Sequence, residues 1–311
     1  MSETNVNDEL FTFQPADDTA SEHIASPQYS YWRSVFRKFF SSKLAIFMLI
    51  VAGTIVVISI IQPMISGYSP MNTPNINNSS MKYIRPNSTY WFGTDDKGNS
   101  LFDAVWAGTR TSLFISVIAT IITNVIGVVV GMWWGFSKKV DAVMIEVYNV
   151  LANIPVTLVC MILVYAIGPG TASLIFALCV TSWIGTAYFI RVQVMIIRDR
   201  EYNLASRCLG TSTWKIIRNN ILPYLISVIM TSISRDVPAF ISYEVFLSYL
   251  GVGLSRETAS LGQMIRDYSP YLTSTPYLFW IPVAVSAIIS ISLYIVGQTL
   301  ADASDPRTHM V

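Results

Sequence analysis

Charge is scarce in this chain, and so are the side chains that carry most protein chemistry. Only 13% of its 311 residues are Asp, Glu, Lys or Arg, against about 25% in an ordinary soluble domain. The net charge is +1, which gives no electrostatic basis for binding nucleic acid. The two histidines, His23 and His309, lie in the terminal tails, so a zinc site is not expected. The three cysteines, Cys160, Cys179 and Cys208, have no CxxC spacing, and a disulfide framework is not expected. No GxxxxGK[ST] phosphate loop occurs, so hydrolysis of ATP is not expected of this chain. Asp95 and Asp96 resemble a catalytic pair only in type. No second base accompanies them, and they read as part of a structured loop. No cleavable signal peptide is expected, because the first apolar run begins near Leu44, behind a polar, acidic tail.

Apolar residues are abundant, at 52%. A bilayer crossing needs about 20 mostly apolar residues. Six stretches qualify: 44–65, 111–136, 147–167, 172–190, 224–250 and 279–300. The fold class expected is therefore all-α, a polytopic membrane protein with six transmembrane helices. In the second stretch Gly127, Gly131 and Gly135 recur every four residues. Such a stripe serves close helix packing or a flexible, kinked half. The third contains Pro155, and the fifth carries Arg235, Asp236, Pro238 and Glu244.

Basic residues set the orientation. Arg33, Arg37, Lys38 and Lys43 precede the first stretch, and Lys138 and Lys139 follow the second. Arg191, Arg198, Arg200, Arg207, Lys215 and Arg218 follow the fourth, whereas Gly168-Pro169-Gly170-Thr171, between the third and fourth, has none. Six crossings with both termini in the cytosol satisfy all of these biases, placing the chain in the cell membrane as a multi-pass protein. Residues 1–43 read as a cytosolic tail ending in a membrane-interface helix, and 44–311 as the membrane domain. The tail is acidic, with Glu3, Asp8, Glu9, Asp17, Asp18 and Glu22, a composition that does not fold alone. Residues 29–42 place Tyr31, Trp32, Phe36, Phe39 and Phe40 among Arg33, Arg37 and Lys38. This pattern fits a helix lying on the bilayer surface, or a basic flank that only fixes orientation.

Residues 201–223 form a polar island between apolar runs, within a cytosolic segment of about 191–223. Leu204, Cys208, Leu209, Trp214, Ile217 and Ile221 recur at helical spacing, interrupted by Gly210, Thr211 and Ser212. The segment reads as helix, turn, helix. A loop that merely joined two crossings needs neither this length nor this pattern, so the hairpin reads as a surface for a partner.

The hairpin resembles the coupling motif of ABC-importer permeases, binding-protein-dependent inner-membrane components in which a Glu-Ala-Ala group precedes a spaced Gly and a Leu-Pro. Ala205 and Ser206 stand at the small positions, Gly210 at the glycine, and Leu222-Pro223 at the end. Leu204 occupies the place of the motif's glutamate, and Glu201, one turn earlier, is the acidic residue available to replace it. Three further stretches carry the resemblance. They are Tyr90-Trp91-Phe92-Gly93-Thr94-Asp95 with Gly108-Thr109-Arg110-Thr111-Ser112-Leu113, the run from Glu244 to Gly253, and the tail Ala301-Asp302-Ala303-Ser304-Asp305-Pro306-Arg307. Together they are similar to the second, shorter-loop type of oligopeptide, dipeptide and nickel permease. The detailed wording is most similar to oligopeptide permeases of Gram-positive bacteria.

The resemblance implies the type I importer fold and a transport subunit rather than an enzyme. It implies a heterodimer with a second homologous permease, two cytosolic ATPase subunits that bind the ATP and Mg, an external peptide-binding protein, and a peptide substrate, with no cofactor in this chain. It also implies that Glu201, Ala205, Ser206, Gly210, Leu222 and Pro223 meet the ATPase. The intramembrane charges have two readings. Arg235, Asp236 and Glu244 line the translocation path, where Arg235 meets a peptide carboxylate, or they form structural ion pairs. Adjacent helical residues point about 100° apart, so Arg235 and Asp236 cannot both face the path. The alternatives carried forward are a dipeptide or nickel importer and, from another class, an ATP-independent carrier that uses these charges as coupling groups.

Overall fold

The computed structural model describes residues 31–304. The acidic tail, both histidines and the Asp305-Pro306-Arg307 end of the C-terminal motif lie outside the described residues. Within them the protein is helical, with only an isolated Thr94–Ser100 bridge in extended pairing. The helices are α1 Tyr31–Phe39, α2 Lys43–Ser66, α3 Leu101–Phe136, α4 Lys138–Leu151, α5 Val156–Ile167, α6 Thr171–Arg198, α7 Glu201–Cys208, α8 Thr213–Ile216, α9 Leu222–Tyr249, α10 Leu261–Tyr268 and α11 Pro276–Ser304.

Five helices are long and apolar enough to cross a membrane: α2, α3, α6, the continuous α8–α9 rod and α11. The third expected crossing is not one helix. It is the pair α4 and α5, bent by 80° at the break. Pro155 has no N–H to donate and its ring disfavours helix at the residue before it, so the chain turns over residues 152–155. α5 has 12 residues, about 18 Å of rise, too short to cross unaided. The sixth crossing exists only as this broken pair.

α3 begins ten residues before the apolar run that announced it. Ser100 caps it by accepting from the Asp103 amide, and Asp103 sits in the first turn, where the helix dipole favours an acid. Leu101, Ala104, Val105 and Gly108 of this extension are buried, and Leu101, Ala104 and Val105 pack with Leu261, Met264 and Tyr268 of α10. The glycine stripe of α3 lies flat on α6. A Cβ at Gly131 would stand 2.5 Å from the Ala187 carbonyl oxygen, and one at Gly135 would stand 2.7 Å from that of Arg191. Close packing, not a flexible half, is what these glycines serve. α9 sits against α3 and α11, with Gly297 of α11 admitting Ser234. It continues as helix through Pro238.

One end of the bundle is closed by the 67–100 loop, α10 and the first turns of α3 and α11. Gly93, at φ +81°, lets the chain pass under Tyr277, whose hydroxyl donates to the carbonyls of Ile84 (3.1 Å) and Thr94 (2.9 Å). Asp95 is buried and holds the loop from inside. Its Oδ1 accepts from the Lys97 and Asn99 amides at 2.9 and 2.7 Å, and its Oδ2 accepts from the Tyr268 hydroxyl at 3.4 Å. Burial pushes its carboxyl above the usual carboxylate range, against the pull of the two amides. This is the structured loop expected of Asp95. At the opposite end α1 packs Val35 and Phe39 on Ala45 and Ala303, and Tyr31 donates to the Ser304 carbonyl at 2.8 Å. The helix leaves Trp32, Phe36 and Phe40 exposed beside its basic residues.

Candidate functional site

The hairpin has the expected helix, turn, helix form, but it is shorter than 191–223. Residues 191–198 belong to α6, and the hairpin proper is α7, the 209–212 turn and α8. Gly210 turns the chain at φ +76°, a conformation a Cβ disfavours. Its α-carbon faces open space, with no atom within 4 Å of where a Cβ would stand. α8 does not end before the next crossing. It runs through a π turn, Ile217–Ile221, into α9, giving a rod of 37 residues, about 55 Å long. Pro223 lies in the first turn of α9. It stands inside the rod just past the π turn, the wider ring being one way a helix absorbs a proline that cannot donate.

Besides apolar packing on α6, two contacts that residue type and spacing do not announce hold the hairpin in place. Asn203 is fully buried; its Nδ2 donates to the Ile197 carbonyl at 2.9 Å, and its Oδ1 accepts from Asn220 Nδ2 at 3.0 Å. This amide clasp ties α7 to the π turn. Ser206 joins it, accepting from Asn220 at 3.4 Å, so Ser206 works inside the hairpin as well as at its surface. The second contact is aromatic. Trp214 stacks on Trp133 of α3, centroids 6.2 Å apart, and the Arg207 guanidinium lies 4.6 Å from the Phe136 ring centroid.

The apolar residues of the hairpin divide. Ile216, Ile217, Ile221 and Leu225 are buried with Ile190, Val194 and Ile197 of α6, and Leu222 packs partly against them. Tyr202, Leu204 and Leu209 point outward, Leu209 at 85% exposure, while Trp214 is half exposed beside Trp133. Glu201, Ala205, Cys208, Gly210 and Pro223 are exposed as well. The outward face is therefore apolar with a basic rim of Arg207, Lys215 and Arg218, the composition of a contact surface.

The second site is a cleft of about 390 Å³ bounded by α4, α5, α6 and α9. Its polar lining includes Thr181, Ser182, Thr186 and Arg235, and its aromatic lining includes Tyr148 and Tyr243. α4 is held as one wall because Asp141 accepts from Trp134 Nε1 at 2.8 Å and from Arg191 Nη2 at 3.0 Å. Tyr148 of the same wall stacks on Tyr188 of α6 at 4.1 Å.

The three intramembrane charges separate. Arg235 faces the cleft, its side chain 57% exposed and its guanidinium 5.4 Å from the Phe189 ring centroid. Asp236 touches the cleft but is anchored in the helix interface, its Oδ2 accepting from Asn124 at 2.9 Å and Ser232 at 3.2 Å. Glu244 does not face the cleft. It is 0% exposed and accepts from Ser112 at 2.6 Å and Ser248 at 2.9 Å, at the junction of α3, α9 and α10. Adjacent buried serines satisfy it without a cation.

Residues 124–310, the part of the chain that holds the hairpin, the cleft and α9, match the family described as the inner membrane component of binding-protein-dependent transport systems. The chain belongs to that family. Residues 30–86 of this permease also match the N-terminal transmembrane domain of oligopeptide transport permease C. It is 53% identical over 306 residues to the oligopeptide transport system permease protein AmiD of Streptococcus pneumoniae, covering 98% of this chain and 99% of that one. It is 35% identical to the oligopeptide permease OppC of Bacillus subtilis, over 95% and 96% of the two chains. To the dipeptide permease DppC of the same organism it is 34% identical, over 97% and 94%. Among solved structures it is similar to a chain of the inward-facing MetNI methionine ABC transporter. The TM-score is 0.50 at 18% identity, covering 65% of this permease and 96% of that chain. That likeness shows the fold, an ABC-importer permease of type I.

Proposed function

We propose that this permease is the membrane subunit of an ATP-driven oligopeptide importer, that it forms half of the translocation path, and that its hairpin docks on a cytosolic ATPase. The observation that carries the coupling role is the outward apolar face of a hairpin that is continuous with a membrane-crossing rod. A push on that face moves α9, and with it the cleft. Glu201, Ala205, Ser206, Gly210, Leu222 and Pro223 belong to this docking and its hinge. The 53% identity to the oligopeptide permease of Streptococcus pneumoniae, against 34% to the dipeptide permease of Bacillus subtilis, supports oligopeptides over dipeptides as substrate.

The complex contains a second homologous permease, two ATPase subunits that carry ATP and Mg, and an external binding protein that delivers the peptide. This chain catalyses no reaction itself. The basic residues near the hairpin and near α1 support a cytosolic position for both termini. The cycle is mechanical: closure of the ATPases turns the cleft outward, peptide enters, and hydrolysis resets it inward. Uptake of a labelled tetrapeptide into proteoliposomes bearing the whole complex tests this. It should require ATP and the binding protein and stop when this subunit is omitted. Uptake driven by an ion gradient without ATP would establish the carrier class instead, and uptake of only dipeptide or Ni²⁺ would move the substrate.

A further inference from the structure

We infer that Arg235 is the carboxylate-binding group of the cleft, receiving the peptide's carboxylate as it passes; the inference rests on the importer reading above. Three observations carry it. The nearest acid is the neighbouring Asp236, at 3.6 Å from Arg235 Nε, beyond hydrogen-bond range. Asn124 and Ser232 hold that acid through its other oxygen, Oδ2, and its Oδ1 stands at ion-pair distance without hydrogen-bonding the guanidinium, whose donors stay open. Arg235 is more than half exposed on a crossing helix, where an ionised group is costly unless it meets water or a partner. Phe189 lies beneath the guanidinium at 5.4 Å, supporting one face of a planar fork whose remaining donors suit a carboxylate. The lining around it mixes hydroxyls with aromatic rings, chemistry that accepts varied side chains and fixes one charged end.

The ligand chemistry is a carboxylate, either the C-terminus or an acidic side chain. The intact complex in proteoliposomes is offered one uncharged tetrapeptide as the free acid, the same peptide C-terminally amidated, and an amidated peptide containing glutamate. Uptake ratios are compared between wild type and Arg235→Gln. The binding protein is common to both, so its own selection cancels.

Arg235→Gln should lower free-acid uptake roughly tenfold or more relative to amide, with the melting temperature of the complex unchanged. Arg235→Lys should restore part of the discrimination, since it keeps the charge without the fork. If the glutamate-containing amide loses uptake along with the free acid, side-chain carboxylates use the subsite too; if it does not, only the C-terminus does. Equal loss for acid and amide, or a destabilised complex, would overturn the proposal in favour of a structural role for Arg235. Absence of any peptide uptake by the wild-type complex would overturn the importer reading itself and this subsite with it.

Discussion

Leu209→Asp is expected to abolish peptide uptake while leaving the permease folded. Leu209 is 85% exposed at the hairpin turn, so it contributes little packing to this chain, and surface changes of this kind alter stability by about 0.5 kcal/mol or less. If the same side chain fills the centre of an ATPase contact, the loss is of another size. Removing a central apolar anchor costs about 2 kcal/mol or more, and a buried unpaired charge adds to it. At about 1.4 kcal/mol per decade, association weakens by roughly 25-fold or more. Co-purification of the ATPases, uptake, and the melting temperature of the purified permease separate the effects. Wild-type uptake in the variant would contradict the docking assignment. Gly210 is a poorer probe. Its φ of +76° means that any larger residue strains the turn by about 1–3 kcal/mol, so loss of function would not distinguish docking from turn geometry.

Gly131→Leu is expected to destroy the fold itself. The Cβ alone would stand 2.5 Å from the Ala187 carbonyl oxygen and 2.8 Å from Ile190 Cβ. The first of these is backbone and cannot rotate away. α3 and α6 would have to separate along the whole stripe, which also contains Gly127 against Thr186 and Gly135 against Val194. Overpacking costs about 1–3 kcal/mol where neighbours can adjust, and here they cannot, so folded protein in the membrane should fall to a small fraction of wild type. Gly185→Ala, on α6, is the matched control because nothing lies within 4 Å of its Cβ position. Recovery of Gly131→Leu at wild-type yield and melting temperature would contradict the packing account.

These expectations also mark what the sequence made legible. The apolar runs announced six crossings, five of which are single helices long and apolar enough to span, because a bilayer imposes length and composition on a helix independently of its neighbours. Residues 101–110 escaped notice: Asp103, Thr109 and Arg110 dilute the run, and the helix is held by packing on α10 rather than by lipid. α10 went unannounced for the same reason, being eight residues long and stabilised by burial of most of its length, Leu261 to Ile265 and Tyr268. Pro155 was visible, but whether a proline kinks a helix or breaks it depends on what receives the next segment.

In the hairpin the turn at Gly210 was readable from residue type. The Asn203–Asn220 clasp was not, since it joins residues 17 apart through side chains whose spacing carries no periodic signal. Helical spacing grouped Leu204, Leu209 and Trp214 with Ile217 and Ile221, although only the two isoleucines are buried. Periodicity finds an apolar face but does not say whether this chain or another covers it. Among the charges, neighbours diverge by about 100°, yet Arg235 and Asp236 both reach the cleft and differ in exposure, 57% against 14%. The burial of Glu244 depended on Ser112, 132 positions away.

The central claim is that the hairpin meets the ATPase, and the protein carries its own probe for it. Cys208 is exposed at the hairpin, while Cys160 and Cys179 are buried. Benzophenone-maleimide attached to the transport-active wild-type complex should therefore react at Cys208. On illumination it should join this permease to an ATPase subunit in one defined product, mapped by mass spectrometry to a cleft on that subunit. An actively transporting complex in which the Cys208 adduct reaches only lipid or the second permease, and never the ATPase, would contradict the account.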